Sequence, residues 1–297
     1  MNSLKIFIIK ILNTPFKILF LLFILIEKLL IKLPFPSSYL LAGRQFFTNS
    51  FENDTRKIVN TSNGSKVNFV LHTPNKLCLY RQETFFTKEP EMLEWIEKYG
   101  GEGAFYDIGA NIGIYSIYFA KAKQGKVYSF EPSVFNLKQL AKNISINMLS
   151  NQITVIPNPL SDNTGIASFI NSNTDEGGAL NAFGVDYGHT GEKIENKVEY
   201  SILGFSLDDM LSKGIITEPP AIIKIDVDGI EHLILSGAKK TISADSCKSI
   251  YVEVNDNFLE LAEEVKKILE DAGFSLIEKR QYSKKLGPIF NQIWVKK

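Results

Sequence analysis

The residues best suited to chemistry form a short glycine loop. Phe105–Gly113 has the sequence FYDIGANIG, in which a predicted strand ends near Asp107 and a predicted helix follows Gly113. Glycines at such a junction let the backbone approach a ligand closely, and the first turn of the helix supplies free N–H groups. The Gly-x-x-x-Gly spacing from Gly109 differs from that of dinucleotide sites, and no lysine follows it, which excludes a nucleotide-triphosphate loop.

A second candidate is Glu131, which closes the next predicted strand, 22 residues after Gly109. A carboxylate at this place can accept hydrogen bonds from both hydroxyls of a ribose, and each such bond contributes about 1.5–3 kcal/mol. Alone, Glu131 is better explained as an ordinary strand-end glutamate. Together with the glycine loop it predicts a nucleoside-binding site.

A third group of polar residues follows the apolar run Ala221–Ile225. Asp226 and Asp228 share one face while the strand lasts, and Glu231 and His232 enter the first turn of the next helix. Open α/β sheets bind ligands at the carboxyl ends of their strands, so Asp226 or His232 is a candidate general base and Glu231 could orient an acceptor. Three alternatives stay open: a Glu231 that only complements the helix dipole, a solvated His232, and carboxylates that hold Mg²⁺.

The elements that must position these residues alternate between strands and helices. The pattern predicts strands at 67–71, 76–81, 104–108, 126–130, 153–156, 167–170, 221–225 and 249–254, and helices at 90–99, 114–123, 133–148, 206–212, 231–241 and 259–272. Phe274–Glu278 and Ile289–Val295 are joined by a Gly-Pro loop and predict a closing hairpin. Such alternation is typical of a parallel sheet with helices on both faces.

Composition limits the class of protein. The chain has 297 residues, of which 44% are hydrophobic and 22% charged, as expected of a globular protein. Residues 1–33 hold five lysines and one glutamate, a net charge of +4, so the rest of this neutral chain carries −4. An acidic body argues against nucleic-acid binding. Cys78 and Cys247 lie far apart, which excludes a disulfide framework or a zinc ribbon.

Residues 4–33 are the most apolar segment and contain four lysines that fall on one side of a helix. The longest run without a charge, Ile18–Ile26, is nine residues and falls short of a confident membrane span. The segment predicts a membrane-associating helix, either spanning or lying in the headgroup plane, with a buried core helix as the alternative. The predicted organisation is therefore a helix over 1–33, a linker and small leading region over 34–100, and a main domain over 101–297.

The candidate site motifs and their order along the chain resemble those of FkbM-type methyltransferases, which are class I enzymes that use S-adenosylmethionine. The resemblance covers about residues 80–297. It rests on five blocks: Asp107–Gly113, Glu131, Leu160–Gly165, Lys224–Glu231 and Tyr251–Val254. One departure is Asp228, where a glutamate is more usual in the family.

The resemblance implies a doubly wound, mostly parallel, seven-stranded Rossmann-like α/β sheet, preceded here by the N-terminal hydrophobic helix. It also implies S-adenosylmethionine as the cofactor, with Asp107 near its amino group, Asn111 and the loop amides near its carboxylate, and Glu131 on its ribose. The segment that contains Ser161 and Asp162 would lie near the adenine. The expected cofactor-binding residues are Asp107, Gly109, Asn111, Gly113, Glu131, Ser161 and Asp162.

The expected function is O-methylation of a hydroxyl on a glycan, a lipid-linked sugar or a small metabolite. Asp226, Glu231 and His232 are the expected catalytic residues, and no metal is assigned. A nicotinamide-dependent reductase and a non-catalytic membrane module that retains the fold are the alternatives. The expected partners are a small-molecule or glycan acceptor and a membrane contacted through residues 4–33, with no nucleic acid. The protein would then be membrane-associated, with its catalytic domain in the cytoplasm.

Overall fold

The computed structural model describes residues 14–15, 17–19, 21–26, 28–29, 42–43, 45, 55–62, 65–188, 192–194, 198–281 and 287–296. The chain divides into two compact units, Met1–Asp54 and Thr55–Lys297. The domain boundaries expected at residues 33 and 100 stay predictions.

In the first unit, the described residues between Thr14 and Leu29 are helical, and most of their large apolar side chains are exposed. Within the part of the chain that the structure describes, no helix is long and apolar enough to cross a membrane. The predicted spanning helix therefore has no support. Residues 4–13 and 30–33 of the predicted segment lie outside the described residues, and the predicted localisation stays a prediction.

The second unit contains the elements that build the site. Its strands are β1 (Thr55–Ser62), β2 (Ser65–His72), β3 (Ala104–Ile108), β4 (Val127–Phe130), β5 (Ile153–Ile156), β6 (Gly165–Asn171), β7 (Ala182–Phe183), β8 (Val198–Gly204), β9 (Pro220–Ile225), β10 (Ser249–Asn255), β11 (Phe274–Gln281) and β12 (Ile289–Lys296). Its helices are α1 (Lys76–Glu83), α2 (Pro90–Tyr99), α3 (Ile114–Lys123), α4 (Val134–Ile146), α5 (Leu207–Ser212), α6 (Glu231–Ser236), α7 (Lys239–Ser243) and α8 (Leu259–Asp271).

The central sheet has seven strands in the order β11-β12-β10-β9-β3-β4-β5. Only β12 runs antiparallel to the others, and with β11 it forms the predicted hairpin. Every residue of β3 and β9 is buried, as expected of apolar strands covered on both faces. The chain order reverses between these two strands, which is where such sheets bind ligands. The doubly wound, mostly parallel sheet predicted from the sequence is confirmed.

Three local predictions were wrong. Lys76–Arg81, predicted as a strand, lies in helix α1, because the Asn75 side chain accepts a hydrogen bond from the N–H of Cys78 and caps that helix. The strand predicted at 167–170 belongs to a separate antiparallel sheet, β7-β6-β8, rather than to the central one. The helix predicted over 231–241 is two helices, α6 and α7.

Two carboxamides, Asn143 on α4 and Asn147 directly after it, fix β2 beside the glycine loop. The Asn147 side chain bonds both the N–H and the carbonyl of Val70. One turn earlier, Asn143 accepts from the N–H of His72 at 2.9 Å and donates to the carbonyl of Ile112 at 2.8 Å. These bonds connect β2, α4 and the glycine loop into one support.

Candidate functional site

The glycine loop has a backbone that only glycine can supply at its first position. Gly109 has a φ of 78°, and a Cβ there would lie 1.9 Å from the carbonyl oxygen of Asp226. Gly113 has a φ of 82°, and a Cβ there would lie 2.3 Å from a methyl group of Leu140. The ends of β3 and β9 therefore meet closely, and α3 begins directly behind the loop.

Glu131 lies where the sequence predicts it, at the end of β4 and against the glycine loop. Its carboxylate accepts from the N–H of Asn111 at 2.7 Å and from the N–H of Ser133 at 2.9 Å. Burial raises the pKa of Glu131 to about 7, although these hydrogen bonds act in the opposite direction. Glu131 is therefore a carboxylate that changes charge near neutral pH.

Two cavities flank the glycine loop at the carboxyl ends of the strands. The first, which we call the apolar pocket, includes Phe130, Glu131, Pro132, Leu160 and Phe183 in its lining. The second, which we call the charged cleft, includes Arg81, Lys88, Glu89, Tyr115, Lys224 and Glu253 in its lining. Both cavities share Gly109, Asn111, Ala179, Asp226 and Asp228. The shared residues make the two cavities neighbouring parts of one binding region.

A segment that we call the strap, Ser172–Asn181, reaches the boundary between the two cavities. The carbonyl of Gly178 accepts from the side chains of Asn111 at 2.6 Å and Asn136 at 3.1 Å. The N–H of Leu180 donates to a carboxylate oxygen of Asp228 at 2.6 Å. The amide of Asn111 is thus already bonded to the strap, which the sequence did not predict.

Lys224 is a buried cation beneath the loop. Its Nζ donates to the carbonyl of Gly109 at 3.0 Å and lies 3.2 Å from Asp107 Oδ1 and 3.6 Å from Asp226 Oδ2. Burial lowers the pKa of Lys224, but the two carboxylates raise it more, so the net shift is upward and the lysine is charged. A lysine in an otherwise apolar buried strand was the signal that could have revealed this residue.

Asp107 occupies a different environment from the one expected of a ligand-binding group. It is completely buried, accepts from the Ser116 hydroxyl at 2.6 Å, and lines neither cavity. Ser161 and Asp162 also lie just outside the lining: the Ser161 hydroxyl donates to Asp162, while Asn158–Leu160 line the apolar pocket instead.

The structure separates Asp226 from the other two expected catalytic residues, Glu231 and His232. Asp226 lines both cavities, and nearby positive charges lower its pKa although burial acts to raise it. Glu231 accepts from the N–H groups of Val227 and Gly229, and burial raises its pKa to about 7. Glu231 and His232 both line another cavity, against α8, and burial lowers the pKa of His232. Asp226 alone of the three reaches the apolar pocket and the charged cleft.

The carboxylates at the end of β9 do not assemble a metal site. Among the residues that the structure describes, no three Asp, Glu, His or Cys side chains converge in a way that could hold a metal ion. The hydrogen bonds of Asp228 and Glu231 to backbone N–H groups account for part of this arrangement, because they direct these two carboxylates to the strap and to the turn.

The solved structures that are similar to this chain include methyltransferases. An FkbM methyltransferase from Methylobacillus flagellatus has a TM-score of 0.44 and 19% identity, with 65% of this chain and 43% of that chain covered. The magnesium protoporphyrin IX methyltransferase of Synechocystis, with bound S-adenosylmethionine, has a TM-score of 0.45 and 14% identity over 75% and 85%. A fibrillarin pre-rRNA processing protein from Methanococcus jannaschii has a TM-score of 0.39 and 13% identity over 65% and 66%.

The chain spans less than half the length of the Methylobacillus structure. No curated protein matches the chain. The absence of a nucleic-acid partner stays a prediction, since likeness to these neighbours carries no conclusion about substrates.

A family model gives the assignment. The methyltransferase FkbM domain matches residues 107–276, more than half of the chain. The match begins at Asp107 and includes the glycine loop, Glu131 and the end of β9. The protein therefore belongs to the FkbM family of methyltransferases.

Proposed function

We propose that this protein methylates a hydroxyl group of a small-molecule or glycan acceptor, with Asp226 as the general base. The observation that carries the proposal is the position of Asp226 at the boundary of the apolar pocket and the charged cleft. Its side chain is 32% exposed, so the carboxylate is accessible to a ligand.

The residues of the two cavities fit the two halves of S-adenosylmethionine, the cofactor that the family resemblance implies. The apolar pocket has aromatic and aliphatic walls. Apart from Asp226 and Asp228, which it shares with the charged cleft, its carboxylate is Glu131, and this lining suits an uncharged adenosine with two ribose hydroxyls. The charged cleft has side chains of both signs, among them Arg81, Lys224 and Asp226, which suits the zwitterionic methionyl end. The cofactor would therefore lie across the glycine loop, past Asp226.

The protein's part in the reaction is alignment and proton removal. When bound, S-adenosylmethionine would supply a sulfonium methyl group; in an in-line displacement the acceptor oxygen would form a bond to that carbon as the C–S bond breaks, and the neutral thioether would be the leaving group. Asp226 takes the proton of the acceptor hydroxyl, and its low pKa keeps it ionised and able to accept that proton near neutral pH. The charged cleft extends beyond Asp226 to Tyr80 and Phe85, which leaves space for the acceptor.

The first test is calorimetric titration of the full chain with S-adenosylmethionine, with Glu131→Ala as a matched variant. Binding by the wild type that is lost in the variant supports the proposed orientation. Titration with NAD tests the reductase alternative. Failure of the folded wild-type protein to bind S-adenosylmethionine would overturn the proposal.

The second test concerns the base. Transfer of a labelled methyl group to a panel of hydroxyl acceptors should fall by about 10²–10⁴-fold in Asp226→Asn when S-adenosylmethionine is saturating, so that a change in cofactor affinity does not contribute. Unchanged transfer in that variant would remove Asp226 from the mechanism and leave the rest of the assignment intact.

A further inference from the structure

Asn111, which the sequence assigns to the carboxylate of the cofactor, has its side chain bonded elsewhere. Its amide donates to the carbonyl of Gly178, and its side-chain oxygen accepts from the N–H of Ile112 at 3.0 Å. The carboxylate of the methionyl end therefore needs another partner in the charged cleft. A cation is the natural partner for this group.

Two of the three cations that line the charged cleft already have partners of opposite charge. Lys224 lies between Asp107 and Asp226, and the Nζ of Lys88 forms an ion pair with Glu89 at 2.9 Å. The charge of an ammonium group in such an ion pair is already compensated, so it attracts the carboxylate of a ligand only weakly.

Arg81 differs from both lysines. Among the described residues, no carboxylate lies within ion-pair distance of its guanidinium group; instead its Nε donates to the carbonyl of Gly177 in the strap at 2.9 Å. That bond uses one of the five N–H groups of the guanidinium and fixes its position on the cleft wall. The positive charge of Arg81 acts inside the cleft, since it contributes to the lowered pKa of Asp226.

We infer that Arg81 binds the carboxylate of S-adenosylmethionine, and that helix α1 thereby supplies part of the cofactor site. Arg81 lies in the charged cleft together with Asp226, at the end assigned above to the methionyl group. The terminal nitrogens of a guanidinium match a carboxylate in a two-bond geometry that an ammonium cannot reproduce. Arg81 precedes the matched family domain, which begins at residue 107. The inference rests on the cofactor orientation in the proposed function.

The test uses two ligands that differ only in the carboxylate: S-adenosylmethionine and its decarboxylated form. In calorimetric titrations of the full chain, the wild type should bind S-adenosylmethionine at least about 10-fold more tightly than the decarboxylated ligand. Arg81→Met should lose about 10-fold or more in affinity for S-adenosylmethionine and stay within about twofold for the decarboxylated ligand. This pattern isolates the contact between Arg81 and the carboxylate of S-adenosylmethionine.

Two further variants keep the test decisive. Arg81→Gln retains a side-chain N–H that can reach Gly177, so it should preserve the strap contact and still lose the preference for the carboxylate. Lys88→Met removes a positive charge from the same cleft and should preserve that preference. Thermal unfolding confirms that each variant is folded.

Other outcomes would overturn the inference. An equal loss for both ligands in Arg81→Met that is absent in Arg81→Gln would assign Arg81 to the strap alone. An unchanged preference for the carboxylate would place that group elsewhere in the cleft. If the folded wild type binds neither ligand, the proposed function itself fails, which is a separate result from either of these.

Discussion

The Nζ of Lys224 lies 3.2 Å from Asp107 Oδ1, and both side chains are almost completely buried. Asp107 ends a strand at the centre of the sheet, and Lys224 lies beside it in the neighbouring strand. The same lysine holds the carbonyl of Gly109 and faces Asp226. One buried cation thus connects the glycine loop, its supporting carboxylate and the proposed base.

Loss of this cation should destabilise the protein strongly. Lys224→Met leaves the charge of Asp107 buried without a counter-charge, which costs about 3–5 kcal/mol. Urea unfolding at pH 7 measures the effect. Adding Asp107→Asn to the same variant should recover part of the loss, because the uncompensated charge is removed. A loss below about 1 kcal/mol in Lys224→Met would contradict the role of this pair.

Gly109 should tolerate no side chain. Gly109→Ala combines a positive φ with a Cβ at 1.9 Å from a backbone oxygen, so the free energy of unfolding should fall by more than about 3 kcal/mol. Gly214 is the matched control: its φ is 67°, and nothing lies within 4 Å of a Cβ there. Gly214→Ala should cost only the backbone strain, about 1–2 kcal/mol. Equal losses in the two variants would show that the close approach of β3 and β9 is not decisive.

The central sheet could be predicted because its strands and helices carry local signals. β3 and β9 are apolar except for Asp107 and Lys224, and each strand is followed by a loop that carries polar candidate site residues. The Lys76–Arg81 segment was mistaken for a strand because Leu77–Tyr80 is a short continuous apolar run, which a strand and a short helix share; the Asn75 cap favours the helix. The sheet β7-β6-β8 escaped prediction because its strands pair only through contacts distant in sequence.

The sequence predicted those site residues whose position follows from their own strand. It did not predict the contacts between residues that are distant in sequence. Glu131 and Asp226 follow their own strands directly, so their positions could be inferred from the sequence. The strap is held by Asn111 and Asn136, which lie 67 and 42 residues before Gly178, and no local pattern encodes that contact. Arg81 was hidden for the same reason, since its Nε bonds a carbonyl 96 residues later.

Glu231 should make stability depend on pH. Its folded pKa of about 7 lies above the ordinary value of 4.5, so its favourable contribution is complete below about pH 4.5 and is lost as the pH rises through 7. Over this range the free energy of unfolding should fall by up to about 3 kcal/mol on account of this residue. Glu231→Gln lacks this dependence, so the free energy of unfolding of the variant minus that of the wild type should increase from pH 5 to pH 8, as measured by urea unfolding. Parallel profiles for the two proteins would contradict the burial argument.

Glu131 should make the affinity for S-adenosylmethionine increase with pH, whereas Glu231 makes stability decrease with pH. Ribose hydroxyls donate to the ionised carboxylate, whereas the free protein holds this group half protonated near pH 7. Affinity for S-adenosylmethionine should be constant above about pH 8 and fall towards 10-fold per pH unit below 7. Titrations in buffers of different ionisation enthalpy should show proton release on binding at pH 6.

The matched variants separate the contribution of Glu131 from that of other carboxylates. Glu131→Gln should bind weakly at all pH values and release no proton, because its amide does not titrate. Glu231→Gln should keep the pH dependence of binding, since Glu231 titrates in the same range but lines neither cavity. A wild-type affinity that does not change between pH 6 and pH 8 would mean that the ribose does not use the ionised form of Glu131.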